Sequence, residues 1–260
     1  MRLGIIGGTG LVNLDLRSEL AHRPGELIRQ DDVVVSTAYG EVPLRTCTLE
    51  VNGRRCELVF VQRHHNPSGH GCPPHQINHR ANILAMNDSD LDAVVSVCSV
   101  GAIASSFPPG KVALANQYVD FTGVSTTFHD DEAVFTSVTV PFDEGLNERL
   151  ESILRNAQGF GDDEVMHYTY WLTQGPQFET AAEVDAIERL GGHMVGMTMP
   201  REAKLAAELD LPYAAICISS NWAAGRDPSD GTKALDHGHV SAQANDRLDP
   251  ILACIFGILE

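Results

Sequence analysis

Apolar runs rich in valine and isoleucine recur along this chain, and they constrain its fold more than any other feature. They lie at about residues 2–6, 57–62, 93–100, 111–119, 194–198 and 213–219. Several are continuous rather than alternating, which is typical of strands covered on both faces. The pattern therefore predicts a largely buried sheet with helices packed around it, which is an α/β fold.

Segments with helical periodicity separate these runs. They are Pro74 to Met86, Leu146 to Asn156, Glu179 to Leu190 and Arg201 to Leu209. A terminal helix is expected from Val240 to Leu259, and Pro250 should kink or divide it. Residues 120–145 lack a clear period, so we expect a loop or hairpin excursion that can lie at a subunit contact.

The composition narrows the possible partners and the cellular setting. A chain of 260 residues with 43% hydrophobic residues suits one large domain spanning residues 1–260. No apolar run approaches the roughly 20 residues of a membrane span, and the start lacks the regions of a signal peptide, so a cytoplasmic protein is expected. The six cysteines form no Cys-x-x-Cys pair, and disulfides are not expected.

The net charge of −17 argues against nucleic acid or an anionic membrane as partner. An anionic substrate therefore needs a local positive site, which a few arginines and exposed backbone N–H groups can supply.

The first apolar run ends in Gly7-Gly8-Thr9-Gly10, which can present successive N–H groups and the Thr9 hydroxyl to an anion. A dinucleotide fingerprint is an alternative, but Asn13 occupies the position of its third glycine. Asp31 and Asp32 lie about 20 residues further on and keep that alternative open. A plain glycine-rich turn is the third interpretation.

Arg63 and His64 close another predicted strand. A guanidinium matches a bidentate phosphate contact, and the imidazole can donate beside it. A zinc site is the alternative, but no pair of ligands has the spacing of a zinc finger or a zincin, so no metal is expected. That alternative rests on His70, Cys72, His75 and His79.

Glu179 and Asn221 form a second candidate pair. Alone, Glu179 can be an ordinary acid at a helix start, and Asn221 can be a turn residue after a strand. Together, a carboxylate for N1–H and a carboxamide for O6 and N7 cover the hydrogen-bonding edge of a 6-oxopurine. Leaving such groups unpaired in a dry site would cost about 1–3 kcal/mol each.

Three further residues stand where strands end. The Thr198 hydroxyl lies at a predicted helix N-terminus, which favours an anion. Met197 can pack against a sugar or in the core. Ser99 can help hold phosphate, line a base, or simply end its strand.

Several short motifs follow one another along the chain in this order: Gly7-Gly8-Thr9-Gly10-Leu11, Arg63-His64, Pro74-His75-Gln76-Ile77-Asn78, Thr173-Gln174-Gly175-Pro176, Phe178-Glu179-Thr180, Gly196-Met197-Thr198 and Glu208-Leu209-Asp210-Leu211-Pro212-Tyr213. With these motifs the chain resembles the purine nucleoside phosphorylase and methylthioadenosine phosphorylase family from end to end. It is most similar to the bacterial branch that cleaves methylthioinosine. The resemblance implies an α/β fold around a mixed, partly barrel-like sheet. It also implies a homotrimer whose site is completed by a neighbouring subunit, and no cofactor besides phosphate as co-substrate.

The resemblance also assigns roles to residues. Phosphate binding is implied for Thr9, Arg63, His64 and Thr198. Substrate binding is implied for Met197 at the ribose and for Ser99, Phe178 and His237, while Glu179 and Asn221 are the catalytic pair that reads the base. In methylthioadenosine phosphorylases an aspartate stands at the position of Asn221 and another two residues on, where this chain has Ala223. The difference favours 6-oxopurines over adenine.

The identity of the sugar stays open because of His237. The resemblance places it where purine nucleoside phosphorylases have a histidine that contacts the ribose 5′-hydroxyl, whereas enzymes that cleave thio-nucleosides have an apolar residue there. The predicted reaction is phosphorolysis of methylthioinosine or a related 6-oxopurine nucleoside, a pentosyl transfer in purine salvage. Methylthioadenosine or inosine and guanosine are alternative substrates. The same residues would also suit a hydrolase that cleaves nucleosides with water, or a nucleoside-binding protein without activity.

Overall fold

The computed structural model describes residues 1–8, 25–66, 68, 71–235 and 248–260. Nine strands lie within these ranges. They are β1 (Arg2–Gly7), β2 (Glu26–Thr37), β3 (Gly40–Val51), β4 (Arg54–Gln62), β5 (Ala93–Ala102), β6 (Val112–Asp120), β7 (His167–Leu172), β8 (Met194–Gly196) and β9 (Tyr213–Trp222). The α-helices are α1 (His79–Asn87), α2 (Glu144–Gln158), α3 (Ala181–Arg189), α4 (Met199–Glu208) and α5 (Leu248–Leu259).

All nine strands join one mixed sheet in the order β2-β3-β4-β1-β5-β8-β7-β6-β9. Because β9 also pairs with β5, the five strands from β5 to β9 close into a barrel, and β2, β3, β4 and β1 extend from it as a wing. The mixed, partly barrel-like sheet flanked by helices is thus confirmed.

Continuous burial explains why the central strands were visible in the sequence. Residues Ala93 to Cys98 of β5 are all buried, because β5 pairs with both β1 and β9 and both of its faces are covered. By contrast, β2 is an edge strand with no fully buried residue, and it has no apolar run longer than Val33-Val34-Val35, so the pattern did not predict it. Its partner β3 and the six-residue strand β7 were missed as well.

Two helix starts differ from the prediction for reasons of capping. The segment Pro74 to Met86 divides into a 3₁₀ turn at Pro74–Gln76 and helix α1, because the Asn78 side chain accepts from the N–H of Ala81 and starts the helix there. Helix α3 begins at Ala181, not Glu179, because Thr180 and Glu183 form a capping box.

The bounds of helices α4 and α5 can also be compared with the prediction. Helix α4 begins at Met199 rather than Arg201, with Thr198 at its N-cap. Pro250 lies within α5, which continues past it to Leu259, and its effect on the predicted longer helix stays a prediction. Residues 240–247 of that predicted helix lie outside the described residues.

Residues 121–143 contain neither strand nor helix, so the predicted irregular excursion is confirmed. Large apolar side chains are exposed along it, namely Phe121, Val124, Val134, Phe135, Val138 and Val140. Within the described part of the chain, no helix is both long enough and apolar enough to span a membrane.

Strands β1, β4, β5 and β9 run parallel to one another, so their carboxyl ends meet at one edge of the sheet. Gly8, Arg63, Gly101 and Asn221 lie at or next to those ends. Ligand sites of α/β proteins are commonly built at this edge.

Candidate active site

One cavity at this edge brings together every predicted site residue that the structure describes. Its empty volume is about 750 Å³, including the part open to solvent. The predicted residues that line it are Arg63, His64, Ser99, Phe178, Glu179, Met197, Thr198 and Asn221. Thr9 and His237 lie outside the described residues.

Arg63 lies directly after β4, and its guanidinium is buried beneath the cavity, with only 2% of its surface exposed. Its Nε donates to Glu202 Oε1 at 2.7 Å, and Nη2 donates to Glu202 Oε2 at 3.1 Å and Ser96 Oγ at 2.5 Å. Nη1 donates to the carbonyl of Val97 at 2.9 Å. Because a guanidinium has five N–H donors, these contacts leave one Nη1 hydrogen, so the bidentate phosphate contact expected from the sequence does not fit this arrangement.

Glu202 is the centre of this buried network, and sequence reasoning did not single it out. Its Oε2 also accepts from Ser96 Oγ at 2.8 Å and from the Tyr213 hydroxyl at 3.0 Å. Burial alone would raise the pKa of Glu202, but the charge of Arg63 and the hydrogen bonds hold it below the ordinary value. The signal in the sequence is a carboxylate on the apolar stripe of a helix, since Leu205 and Ala206 are buried on the same face.

His79 packs beside this network without joining it. Its Nδ1 lies 3.7 Å from Glu202 Oε1, and neither ring nitrogen has a hydrogen-bond partner in the part of the chain described here. Burial lowers the pKa of His79 to about 4, so the ring is neutral at pH 7.

Thr198 and His64 line the cavity together with Arg63. Thr198 is the N-cap residue of α4, yet its hydroxyl makes no capping hydrogen bond and lines the cavity beside the positive end of the helix. His64 Nδ1 lies 2.7 Å from the carbonyl of Cys72, so Nδ1 carries a hydrogen and donates it. His64 can then donate to phosphate through Nε2 only as the imidazolium.

Glu179 lines the same cavity from the connection between β7 and α3, one residue before the N-cap. The interpretation of Glu179 as a helix-start acid is wrong, because Glu183 takes that role in the capping box. The Thr173 hydroxyl donates to Glu179 Oε1 at 2.6 Å. Burial raises the pKa of Glu179, and the hydrogen bond from Thr173 opposes that rise.

Asn221 is the penultimate residue of β9, where the pairing with β5 is interrupted. Val100 pairs with Ser219 and Gly101 with Asn221, so Ser220 forms a bulge that turns the strand end. Asn221 Nδ2 donates to the carbonyl of Trp222 at 2.7 Å, and Oδ1 lies 3.1 Å from Ser220 Oγ. The carboxamide keeps one N–H and further lone-pair capacity for a ligand.

Met197 is half-buried at the cavity wall, so it is not the core methionine that the sequence left as an alternative. It packs against the loop that carries Gly175, whose φ is +66°. A Cβ at Gly175 would lie 2.5 Å from Met197 Sδ, so only glycine permits this approach.

The rival site hypotheses find no support in this geometry. Asp32 pairs with Arg45 at 2.7 Å on the sheet wing, and β3 and β4 separate its strand from β1, so it cannot reach a dinucleotide ribose beside Gly8. Among the described residues no group of three acidic, histidine or cysteine side chains is placed to hold a metal ion. His70 of the zinc alternative lies outside them.

A sequence profile of the Phosphorylase superfamily matches residues 2–255 of this chain. The chain belongs to this superfamily. A probable S-methyl-5′-thioinosine phosphorylase of Pseudomonas syringae is 38% identical, with 98% of this chain and 97% of the relative aligned. One from Methanothermobacter thermautotrophicus is 36% identical over 97% of this chain and 83% of the relative. The 6-oxopurine nucleoside phosphorylase of Pyrococcus furiosus is 33% identical over 99% of this chain and 92% of the relative.

Solved structures agree with the phosphorylase superfamily fold. A methylthioadenosine phosphorylase from Schistosoma mansoni in complex with adenine superposes with a TM-score of 0.82 at 22% identity, covering 100% of this chain and 91% of that one, and it shows the fold alone. Another from an antarctic soil metagenomic library has a TM-score of 0.78 at 27% identity, covering 97% and 84%. The family resemblance inferred from the sequence motifs is confirmed.

Proposed function

We propose that this protein catalyses phosphorolysis of a 6-oxopurine nucleoside, giving the free purine and a pentose 1-phosphate. One observation carries the proposal: a single cavity is lined both by Glu179 and Asn221, which can bind a purine, and by Arg63, His64 and Thr198, which can bind phosphate. The names of the aligned relatives support the same class of reaction.

The proposed division of the cavity suits the chemistry. Cleavage of a glycosidic bond passes through a state in which the sugar is cationic and the purine gains negative charge. Asn221 would donate to the purine as that charge develops, and Glu179 would accept from its N1–H. Phosphate held by Arg63, His64 and Thr198 would attack C1′, and its charge would stabilise the cationic sugar. This scheme needs no metal, cofactor or covalent enzyme intermediate.

The preference for a 6-oxopurine rests on the residues at the base end. The wall beside Asn221 contains the buried Ala223, so the described cavity wall has no carboxylate there to protonate N7 of adenine. Leu235 lines the same cavity and presents an apolar side chain, which favours a 5′-methylthio group over a 5′-hydroxyl. We therefore propose S-methyl-5′-thioinosine as the first substrate to test and inosine as the second.

The test is purine release from methylthioinosine, inosine, methylthioadenosine and adenosine, each with and without phosphate. We expect phosphate-dependent cleavage of methylthioinosine or inosine and little cleavage of the two 6-aminopurine nucleosides. Equal cleavage without phosphate would point to a hydrolase, and no cleavage of any of the four would favour a binding protein.

We also propose that residues 1–260 form a single phosphorylase domain and that the protein is a cytoplasmic homotrimer. The exposed apolar side chains of residues 121–143 support a subunit contact, because clustered exposed apolar residues mark interaction surfaces. Light scattering after gel filtration should give three times the chain mass, and a change of Phe135 to Asp should reduce it. A monomer at assay concentration would contradict the homotrimer.

A further inference from the structure

The capping hydrogen bonds of helix α3, which follows Glu179, do not involve the Glu179 carboxylate. To bind the base, this carboxylate would have to be held in a defined orientation. Glu179 precedes the N-cap of α3, and the Thr180 backbone N–H is satisfied by Glu183. The side-chain partner that the described residues provide for the Glu179 carboxylate is Thr173 Oγ1, at 2.6 Å. Apart from the backbone N–H of Glu179 itself, the contact that orients the carboxylate is therefore the one with Thr173.

Thr173 is itself held firmly. It directly follows β7, whose last residue, Leu172, pairs with Gly196 of β8. The Thr173 N–H donates to the carbonyl of Gly196 at 2.9 Å. Its hydroxyl has one hydrogen, and the carbonyl of Gly196 at 3.4 Å is a much longer contact than Glu179 Oε1. The hydroxyl therefore donates to the carboxylate.

The hydrogen bond from Thr173 to Glu179 affects which purine the site can bind. A 6-oxopurine presents N1–H and needs an acceptor, which an ionised carboxylate supplies. A 6-aminopurine presents an unprotonated N1 and needs a donor, which a carboxylate becomes only when it is protonated. A donor fixed on Oε1 favours the ionised form and leaves Oε2 for N1–H.

We propose that Thr173 is a positioning residue that holds Glu179 as an ionised acceptor and thereby sets the preference for 6-oxopurines over 6-aminopurines. The proposal rests on the function proposed above and deepens it.

The other charged groups around Glu179 do not replace this contact. Glu183 of α3 adds a like charge that raises the pKa of Glu179. Arg63 and His64 line the same cavity, but Arg63 is committed to Glu202. Without the Thr173 hydroxyl, the backbone N–H of Glu179 itself would still favour the ionised carboxylate, whereas burial and the charge of Glu183 would both favour the protonated form.

The experiment compares Thr173→Val, which keeps the shape and removes the hydroxyl, with Thr173→Ser, which keeps the hydroxyl. We would measure kcat/KM for a 6-oxopurine nucleoside and its 6-amino counterpart, KM for phosphate, and the pH profile of kcat/KM. Thr173→Val should lower 6-oxopurine kcat/KM by about tenfold or more, as expected for loss of a hydrogen bond to a charged group. The ratio of 6-amino to 6-oxo activity should rise, KM for phosphate should stay the same, and Thr173→Ser should restore the wild-type values.

The pH profile separates positioning from simple packing. If Thr173 favours the ionised carboxylate, the acid limb of the profile moves to higher pH in Thr173→Val and returns in Thr173→Ser. A uniform loss across pH with a parallel rise in KM for phosphate would overturn the proposal, as would an unchanged ratio of the two activities. If the wild-type protein shows no phosphate-dependent cleavage, the proposed function fails instead, which the wild-type assay reveals before any variant is measured.

Discussion

The proposed phosphate end and the proposed base end of the cavity are built in different ways. At the phosphate end, beside Arg63, a buried network satisfies the carboxylate of Glu202 with four hydrogen bonds from three side chains. At the base end, Glu179 and Asn221 are each held by contacts within their own connection or strand end. We therefore expect changes at the phosphate end to affect stability, and changes at the base end to alter specificity without loss of the fold.

The largest expected effect is on stability at the buried end. Glu202→Gln leaves the Arg63 charge without its partner in a site where Glu202 is fully buried. Breaking such a pair should lower the free energy of unfolding by about 3–5 kcal/mol. Denaturant unfolding checks this, with Glu183→Gln as control, where the Gln amide oxygen can still accept from the Thr180 N–H and the loss should stay below about 1 kcal/mol. Equal small losses in both variants would remove the contrast between the two ends.

The next effect is on turnover at the base end. Asn221→Ala removes the donor proposed to face the leaving purine, so kcat should fall by about 100-fold or more. The free energy of unfolding should change far less than in Glu202→Gln, because the side chain is only half-buried. Steady-state kinetics and unfolding on the same preparation test both parts. Unchanged turnover would refute the assignment of Asn221 to the base.

A third prediction concerns which purine is accepted. Asn221→Asp supplies a group that can protonate N7 of adenine, so activity on 6-aminopurine nucleosides should rise relative to 6-oxopurines by about tenfold, the equivalent of one good hydrogen bond. Competition between methylthioinosine and methylthioadenosine in one reaction measures the ratio. If the ratio stays constant, position 221 does not discriminate between bases.

The smallest effect is a shift in pH dependence. Burial raises the pKa of Glu179 above its ordinary value of 4.5, and the ionised form is the stronger acceptor for N1–H. Activity on a 6-oxopurine nucleoside should therefore decline as pH falls through that raised pKa, and Glu179→Gln should lose this decline. A profile of kcat/KM for both proteins tests it, and an acid limb that persists in Glu179→Gln must belong to another group.

The sequence predicted best those strands and site residues that show a continuous apolar run or a recognisable local motif. Strand β5 was visible because six consecutive residues are buried, and Asn221 was visible because it ends such a run. Strand β2 was missed because it lies at the sheet edge with its side chains largely exposed. The start of α3 was misplaced because two acids, Glu179 and Glu183, flank its N-cap, and only the capping hydrogen bonds distinguish them.

The commitment of Arg63 to Glu202 could not be predicted, because 139 residues separate them and only the fold brings them together. The same holds for Thr173 and Gly196, which meet through the pairing of β7 with β8. Such long-range polar contacts have no period and no fixed spacing in the sequence.

Phosphorus NMR of the protein incubated with inorganic phosphate and methylthioinosine, or inosine, tests the proposed phosphorolysis most directly. We expect a new phosphate ester signal that grows in step with purine release, one pentose 1-phosphate for each purine. Purine release with the inorganic phosphate signal unchanged would show hydrolysis and would contradict a cavity divided between phosphate and base.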